Sequence, residues 1–171
     1  MARPRLEDLF DAHHARLFRL ARRMLRDVQE SQDAVQETFL RAARNLERLP
    51  PGEEGAEAWL VRVLVNFCRD RYRRQKVRGF SAELSGDEVA TGSRPDDAVV
   101  AKRTVQVALA ALPPRRRAVV VLHELEGRDT REIAELLGLA QVTVRWHLAA
   151  GRAQLAKLLL ANSSVFGETI R

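Results

Sequence analysis

The residues able to do chemistry in this chain are mostly cations set at helical spacing. Arg62, Asn66, Arg69 and Arg73 fall at i, i+4, i+7 and i+11, so a helix through them carries all four on one face. Around the end of that stretch stand Arg69, Arg71, Arg73, Arg74, Lys76 and Arg78, against Asp70 alone. A helix C-terminus favours cations, but two would suffice for that. Six in ten residues look more like a stripe for a phosphate backbone. Arg115, Arg116, Arg117, Arg128, Arg131, Arg145 and Arg152 form a second set around two later periodic segments. Asp33, Gln36 and Glu37, at i, i+3 and i+4, share a polar, acidic face of another helix.

Catalytic chemistry finds no such support. His13 and His14 have no partner His or Cys at metal-ligand spacing and read as ordinary surface histidines. No glycine-rich phosphate loop and no nucleophile motif occurs. The expectation is a non-enzyme with no catalytic residue, no metal and no cofactor.

Several helices must position these groups. Leu6 to about Arg26 keeps helical spacing, with Arg16, Arg19, Arg22, Arg23 and Arg26 on the polar face. A second helix is expected from Glu30 or Ser31 to about Leu49, stopped by Pro50-Pro51-Gly52. An acidic loop, Glu53 to Glu57, then leads into a third helix from about Glu57 to Gln75. Its buried face is Trp59, Leu60, Val63, Leu64, Phe67 and Cys68. A helix from Ala98 to Leu112 ends at Pro113-Pro114, and Pro114 suits the first turn of the next, which runs to Glu126. Asp129 and Glu132 make a capping box for a short helix bearing Ile133, Ala134, Leu136 and Leu137. Gly138 can turn the chain in the left-handed conformation, and Val144, Leu148 and Leu155 line one face of the helix after it. Helix, glycine turn, helix is the DNA-reading helix-turn-helix pattern.

The fold class expected is all-α: two small helical domains, 1–78 and 98–161, joined by a flexible acidic linker, 79–97, with a frayed tail, 162–171. The linker has one arginine against five carboxylates and little periodicity. The whole chain of 171 residues carries a formal charge of +6, which makes phosphate a plausible partner. Cys68, the one cysteine, precludes an internal disulfide and suggests a buried thiol in a reducing compartment. No stretch is apolar for long enough to span a membrane, and MARPRLEDLF turns acidic too soon for a secretory signal. A cytoplasmic protein follows.

Three segments in order, ESQDAVQETFLRAARNL, AWLVRVLVNFCRDRYRRQK and LPPRRRAVVVLHELEGRDTREIAELLGLAQVTVRWHL, resemble the extracytoplasmic-function group of bacterial sigma factors, which keep only the second and fourth sigma domains. The resemblance covers about Leu6 to Leu158. It implies a promoter-specificity subunit whose partners are core RNA polymerase (the β′ clamp helices and the β flap), promoter DNA and an anti-sigma factor. It also implies residue roles. Asp33, Gln36, Glu37, Phe39 and Arg41 fall in the motif that docks on the clamp helices, with Phe39 inside supporting that face. Arg62, Asn66, Arg69, Arg73 and Arg74 fall on the helix along the minus-ten element, where cations track an opened strand and a base can be held out of the stack. Trp59, on the same helix, is more often core than base platform. Arg115, Arg131, Gln141, Thr143, Arg145, Trp146 and Arg152 belong to the part that binds the minus-thirty-five element, where an arginine can pair with a guanine edge or with phosphate.

Three places depart from the family pattern. The loop Pro50 to Ala58 is more acidic and lacks an aromatic, so the preferred minus-ten base does not transfer. Ala140 stands where Ser or Thr often caps the recognition helix, a loss of roughly 1 kcal/mol of local support. Leu148-Ala149-Ala150-Gly151 replaces a turn that is often basic, so minus-thirty-five binding is expected to be weak without the avidity that polymerase supplies. Trp146 could meet a thymine methyl or a sugar, or pack against Arg115–Arg117. A free-standing regulator of the LuxR type is the alternative, because TVRWHL resembles that helix-turn-helix also, but it leaves DAVQETF and the basic third helix unexplained.

Overall fold

The computed structural model describes residues 5–25, 27–77 and 97–167, and among them every regular element is helical. Helix α1, Leu6–Met24, buries Leu9, His13, Leu17, Leu20, Ala21 and Met24 along one stripe. His13 therefore is not a surface histidine: one turn from both Leu9 and Leu17, it is carried inward by the helical period.

Helix α2, Val28–Arg44, begins earlier than its apolar pattern implies, because Asp27 caps it. The Asp27 carboxylate accepts the Glu30 backbone N–H at 2.7 Å, and the Ser31 hydroxyl donates to the Asp27 carbonyl. The helix ends at Arg44, and a single 3-10 turn, Leu46–Arg48, carries the chain to the prolines.

Helix α3, Glu53–Val77, corrects the expected acidic loop: Glu53 to Glu57 are its first residues. Gly52 turns the chain at φ +84°, its carbonyl accepts the Ala56 N–H at 3.1 Å, and the acids sit at the positive end of the helix. Gly55 lets that first turn lie against Pro50, since a β-carbon there would come 2.9 Å from the proline Cβ. Cys68 is buried, as expected, and burial pushes its thiol up to about 12.

Helix α4, Asp97–Ala110, leads through Pro113 to α5, Pro114–Val120, with Pro114 in its first turn. The expected α-helix to Glu126 is not continuous. Val121–Leu125 widens into a π-helical segment, in which the Glu126 N–H reaches back to the Val121 carbonyl. Leu125, in this segment, is exposed. Helix α6, Thr130–Leu137, and helix α7, Gln141–Gly167, complete the chain. The backbone thus stays helical beyond Asn162, where fraying was expected. The expected linker lies outside the described residues, except for Asp97 at the start of α4.

One apolar core runs through both halves: Leu20, Leu60, Leu64 and Val65 from α1 and α3 join Leu112, Val119, Leu122, Ile133 and Val144 from the second half. Helix α3 packs on α5 and α6 as well as on α1 and α2, which explains why its apolar positions, including Val61 and Val65, spread around more of its circumference than a one-sided helix would show. At the seam lies Arg117, 3% exposed. Its guanidinium donates to the carbonyls of Met24, Ala110 and Leu112 and stands 5.1 Å from the Tyr72 ring centre. Arg117→Ala would leave buried carbonyls unpaired in both halves, so a loss of about 3–5 kcal/mol is expected; urea unfolding followed by circular dichroism measures it, and a change under 1 kcal/mol would show that water can substitute.

Candidate nucleic-acid interface

The helix-turn-helix is built by local contacts that the sequence announces. The Asp129 carboxylate accepts the backbone N–H of Arg131 and of Glu132, both at 2.8 Å, and Glu132 returns a bond to the Asp129 N–H at 2.8 Å. Gly138 ends α6 at φ +64°, ψ +43°, and the Leu139 N–H closes on the Ala134 carbonyl. Ala140 offers no side-chain cap to α7. Gln141 couples the two helices instead, donating from its amide to the Thr130 hydroxyl at 2.9 Å.

Of the residues assigned to the recognition helix, Arg145 and Trp146 stand on its exposed face, beside Val142, which the sequence did not single out. Gln141 is occupied with Thr130 and Thr143 is half-buried. Arg152 pairs with Glu124, Nε to Oε1 at 2.7 Å. Arg115 and Arg131 are exposed. Arg116 lies over the Trp146 ring at 5.4 Å and donates to Gln154 at 2.8 Å. In the stretch Leu148 to Gly151, notable from sequence for lacking cations, Leu148 is buried and Gly151 has a packing cause: a β-carbon there would come 2.4 Å from Val120 Cγ2 and 3.2 Å from Arg116 Cγ. Glycine lets α7 close on α5.

The stripe on α3 is divided. Arg73 and Arg74 are exposed. Arg69 donates to Asn66 at 3.2 Å, and partial burial, then the nearby Arg115, lower its pKa. Arg62 is engaged by the other half: its Nε and Nη2 donate to the carbonyls of Leu136 and Glu135, at 3.0 and 2.8 Å, in the last turn of α6. Arg71, by contrast, pairs with Glu30.

Ion pairs reinforce this seam. Glu57 on α3 accepts from Arg16 and Arg128. Glu126, its side chain 8% exposed, accepts from Arg16 at 3.0 Å and from Arg23 at 2.7 Å. The sequence held no signal for this cluster, because its members are far apart along the chain and each reads as an ordinary surface charge.

On α2, Gln36 is exposed, Asp33 accepts from Gln29, and Glu37 pairs with Arg41 at 2.8 Å. Phe39 is buried beneath them, as expected, and Arg41 lies 5.9 Å from the Phe67 ring centre. Gln36 also edges an apolar groove of about 490 Å³ between α1 and α2, where Phe10 and Phe39 meet at 4.9 Å. Among the described residues no cluster of His, Cys, Asp or Glu could hold a metal, and no helix is long and apolar enough to cross a membrane.

Residues 9–78 match the model of sigma-70 region 2, and residues 102–155 that of sigma-70 region 4. The chain is 35% identical to the ECF RNA polymerase sigma factor SigM of Mycobacterium tuberculosis, across 90% of this chain and 76% of that one. It is 33% identical to SigW of Bacillus subtilis, another ECF sigma factor, across 89% and 87%. Among solved structures it is similar to CnrH in complex with the cytosolic domain of CnrY, with a TM-score of 0.68 and 28% identity over 91% of this chain and 88% of that one. The fold and the paired regions define a two-region protein of the sigma-70 family. The chain belongs to the ECF RNA polymerase sigma factors, DNA-binding proteins of transcription initiation. The LuxR-type alternative is not favoured, since residues 9–78 match sigma-70 region 2.

The Asp129 cap has a pH signature. Hydrogen bonds from the Glu132 and Arg131 backbone N–H groups hold its carboxyl below the usual carboxylate range. A group depressed in the folded state contributes stability that is present above its unfolded pKa of about 3.9 and lost as pH falls through the folded value. Below about pH 4, melting temperature should therefore fall less steeply for Asp129→Asn than for the parent chain, because asparagine caps without titrating; parallel slopes would show that the cap carries no pH-dependent stability.

Proposed function

We propose that this sigma factor works by binding alone, in the cytoplasm and in association with the nucleoid, through surfaces divided between domains at 1–78 and 98–161. Asp33, Gln36 and Glu37, supported by Phe39 and Arg41, dock on the β′ clamp helices of core polymerase, and the second domain meets the β flap. Arg62, Asn66, Arg69, Arg73 and Arg74 track the minus-ten strand. Arg145 and Trp146 enter the major groove of the minus-thirty-five element; Gln141 and Thr143 support that helix from its turn. Arg115, Arg131 and Arg152 hold phosphates. No covalent step of its own is required. An anti-sigma factor is the expected regulator.

The observation that carries this proposal is the exposed Arg145–Trp146 face on a capped helix-turn-helix, joined in one chain to the exposed Arg73 and Arg74 of α3. Run-off transcription with purified core polymerase tests it. Reversing Asp33 and Glu37 to lysine should weaken core binding at least tenfold with unchanged circular dichroism, while Arg145→Ala should leave core binding intact and reduce discrimination at the upstream element by about 1–3 kcal/mol. Unchanged core affinity in the first variant, or equal loss of both activities in the second, would remove these roles.

Arg62 adds a condition. Its Nε and Nη2 serve the carbonyls of α6 and leave only Nη1 for a phosphate, so full engagement of Arg62 by the minus-ten strand requires α3 and α6 to part when the polymerase complex forms. Fluorophores on cysteines replacing exposed Asp70 and Lys157 should report a longer distance once core polymerase and promoter are added. An unchanged distance would mean that the minus-ten strand does not displace Arg62 from α6.

A further inference from the structure

Helix α7 turns two opposite faces outward and inward in its first turns. Val144 and Leu148 are fully or nearly fully buried, whereas Val142 and Trp146 are 71% and 59% exposed. Val142 and Trp146 are one turn apart and so form a ridge, with Arg145 beside it and the exposed methyl of Ala149 continuing it. Single exposed apolar residues are ordinary on a protein surface. A valine and a tryptophan stacked on the face a helix-turn-helix presents to DNA are a shaped apolar surface.

The ring is held without being covered. The Arg116 guanidinium lies 5.4 Å from its centre and is itself anchored by the 2.8 Å bond to Gln154. The stem of Arg116 runs past Gly151, where a β-carbon would crowd it. His147 meets the indole edge-on at 4.9 Å. These contacts favour one orientation of the ring before DNA arrives, which lowers the ordering cost of binding.

An apolar ridge has few matching features in a major groove. Base edges there are donors and acceptors, except for the C5-methyl group of thymine. We propose that Val142 and Trp146 select thymine in the minus-thirty-five element by packing on its methyl groups, with Arg116 as the positioning residue for the ring. The inference rests on the proposed entry of α7 into that element and adds what the helix reads there. Arg145 supplies the polar contact alongside, and Arg115 and Arg131 supply phosphate contacts that do not distinguish bases.

Replacing thymine by deoxyuridine removes the methyl group and nothing else. Holoenzyme reconstituted with the full chain is used to select duplexes from a promoter library randomised across the upstream element. The selected duplex is then resynthesised with deoxyuridine at each thymine of that element in turn, and binding is measured by competition. At one or two positions the substitution should weaken binding roughly fourfold, the worth of one buried methyl group. Trp146→Ala should bind the thymine duplex more weakly and lose the thymine preference at one of those positions. Val142→Ala should lose it at the other, and Arg116→Gln should reduce the preference that depends on Trp146. A selected element without thymine, indifference to deoxyuridine at every position, or a Trp146→Ala/Val142→Ala holoenzyme that keeps the full preference would overturn the inference. Failure to enrich any upstream element would overturn the minus-thirty-five role of α7 itself, which is a different result.

Discussion

The buried guanidinium of Arg117 is the constraint on which the rest of this structure depends. A charge at 3% exposure is tolerated only where oxygen atoms surround it, and here the carbonyls of Met24, Ala110 and Leu112 do so. Each is a group that a helix end leaves without an internal partner: Met24 closes α1, and the other two lie at the end of α4 and just beyond it. One side chain thus satisfies helix ends from both halves, and the face of Tyr72 on α3 completes its surroundings. Separation of the halves would expose that cation and those carbonyls to water again, so the packing is held on electrostatic terms as well as by apolar area.

The seam around Arg117 repeats the same chemistry with more water present. Glu57 and Glu126 gather Arg16, Arg23 and Arg128, and Arg62 reaches the final carbonyls of α6. The excess of cations that suits the chain to phosphate is therefore partly spent within it. Carboxylates and helix-end carbonyls are the partners of these cations, and salt weakens such partly exposed pairs. The exposed cations Arg73, Arg74, Arg115, Arg131 and Arg145 are left facing solvent. The cations thus divide into those engaged within the chain and those open to solvent.

The exposed face of α7 depends on a packing detail of similar kind. Gly151 allows α5 and α7 to approach so closely that the stem of Arg116 lies between them, and this brings its guanidinium over Trp146. A residue without a side chain thereby sets the position of the largest ring on the exposed face. The cap that Ala140 cannot provide is offset by the Gln141–Thr130 bond, so the turn is held from the side rather than from the end.

Local chemistry was legible in the sequence because its partners lie within a few residues of one another. The Asp129–Glu132 capping box, the left-handed Gly138, Pro114 at a helix start and the inward faces carrying Phe39, Cys68, Val144 and Leu148 all follow from spacing and residue type. The family was legible for a related reason: its motifs are short words on single helices. What only the tertiary structure decided is which charges turn inward. Arg115, Arg116 and Arg117 are chemically identical neighbours about 100° apart around one helix, and nothing local ranks them. Packing against α1 and α3 sends Arg117 inside, lays Arg116 on Trp146 and leaves Arg115 exposed. Likewise His13 and Glu126 read as surface groups until distant helices cover them, and Glu53 to Glu57 read as a loop until Gly52 and Gly55 let the chain turn tightly against Pro50. Helical period and capping act over a turn or two, whereas burial of a charge depends on oxygen atoms that the chain brings from tens of residues away.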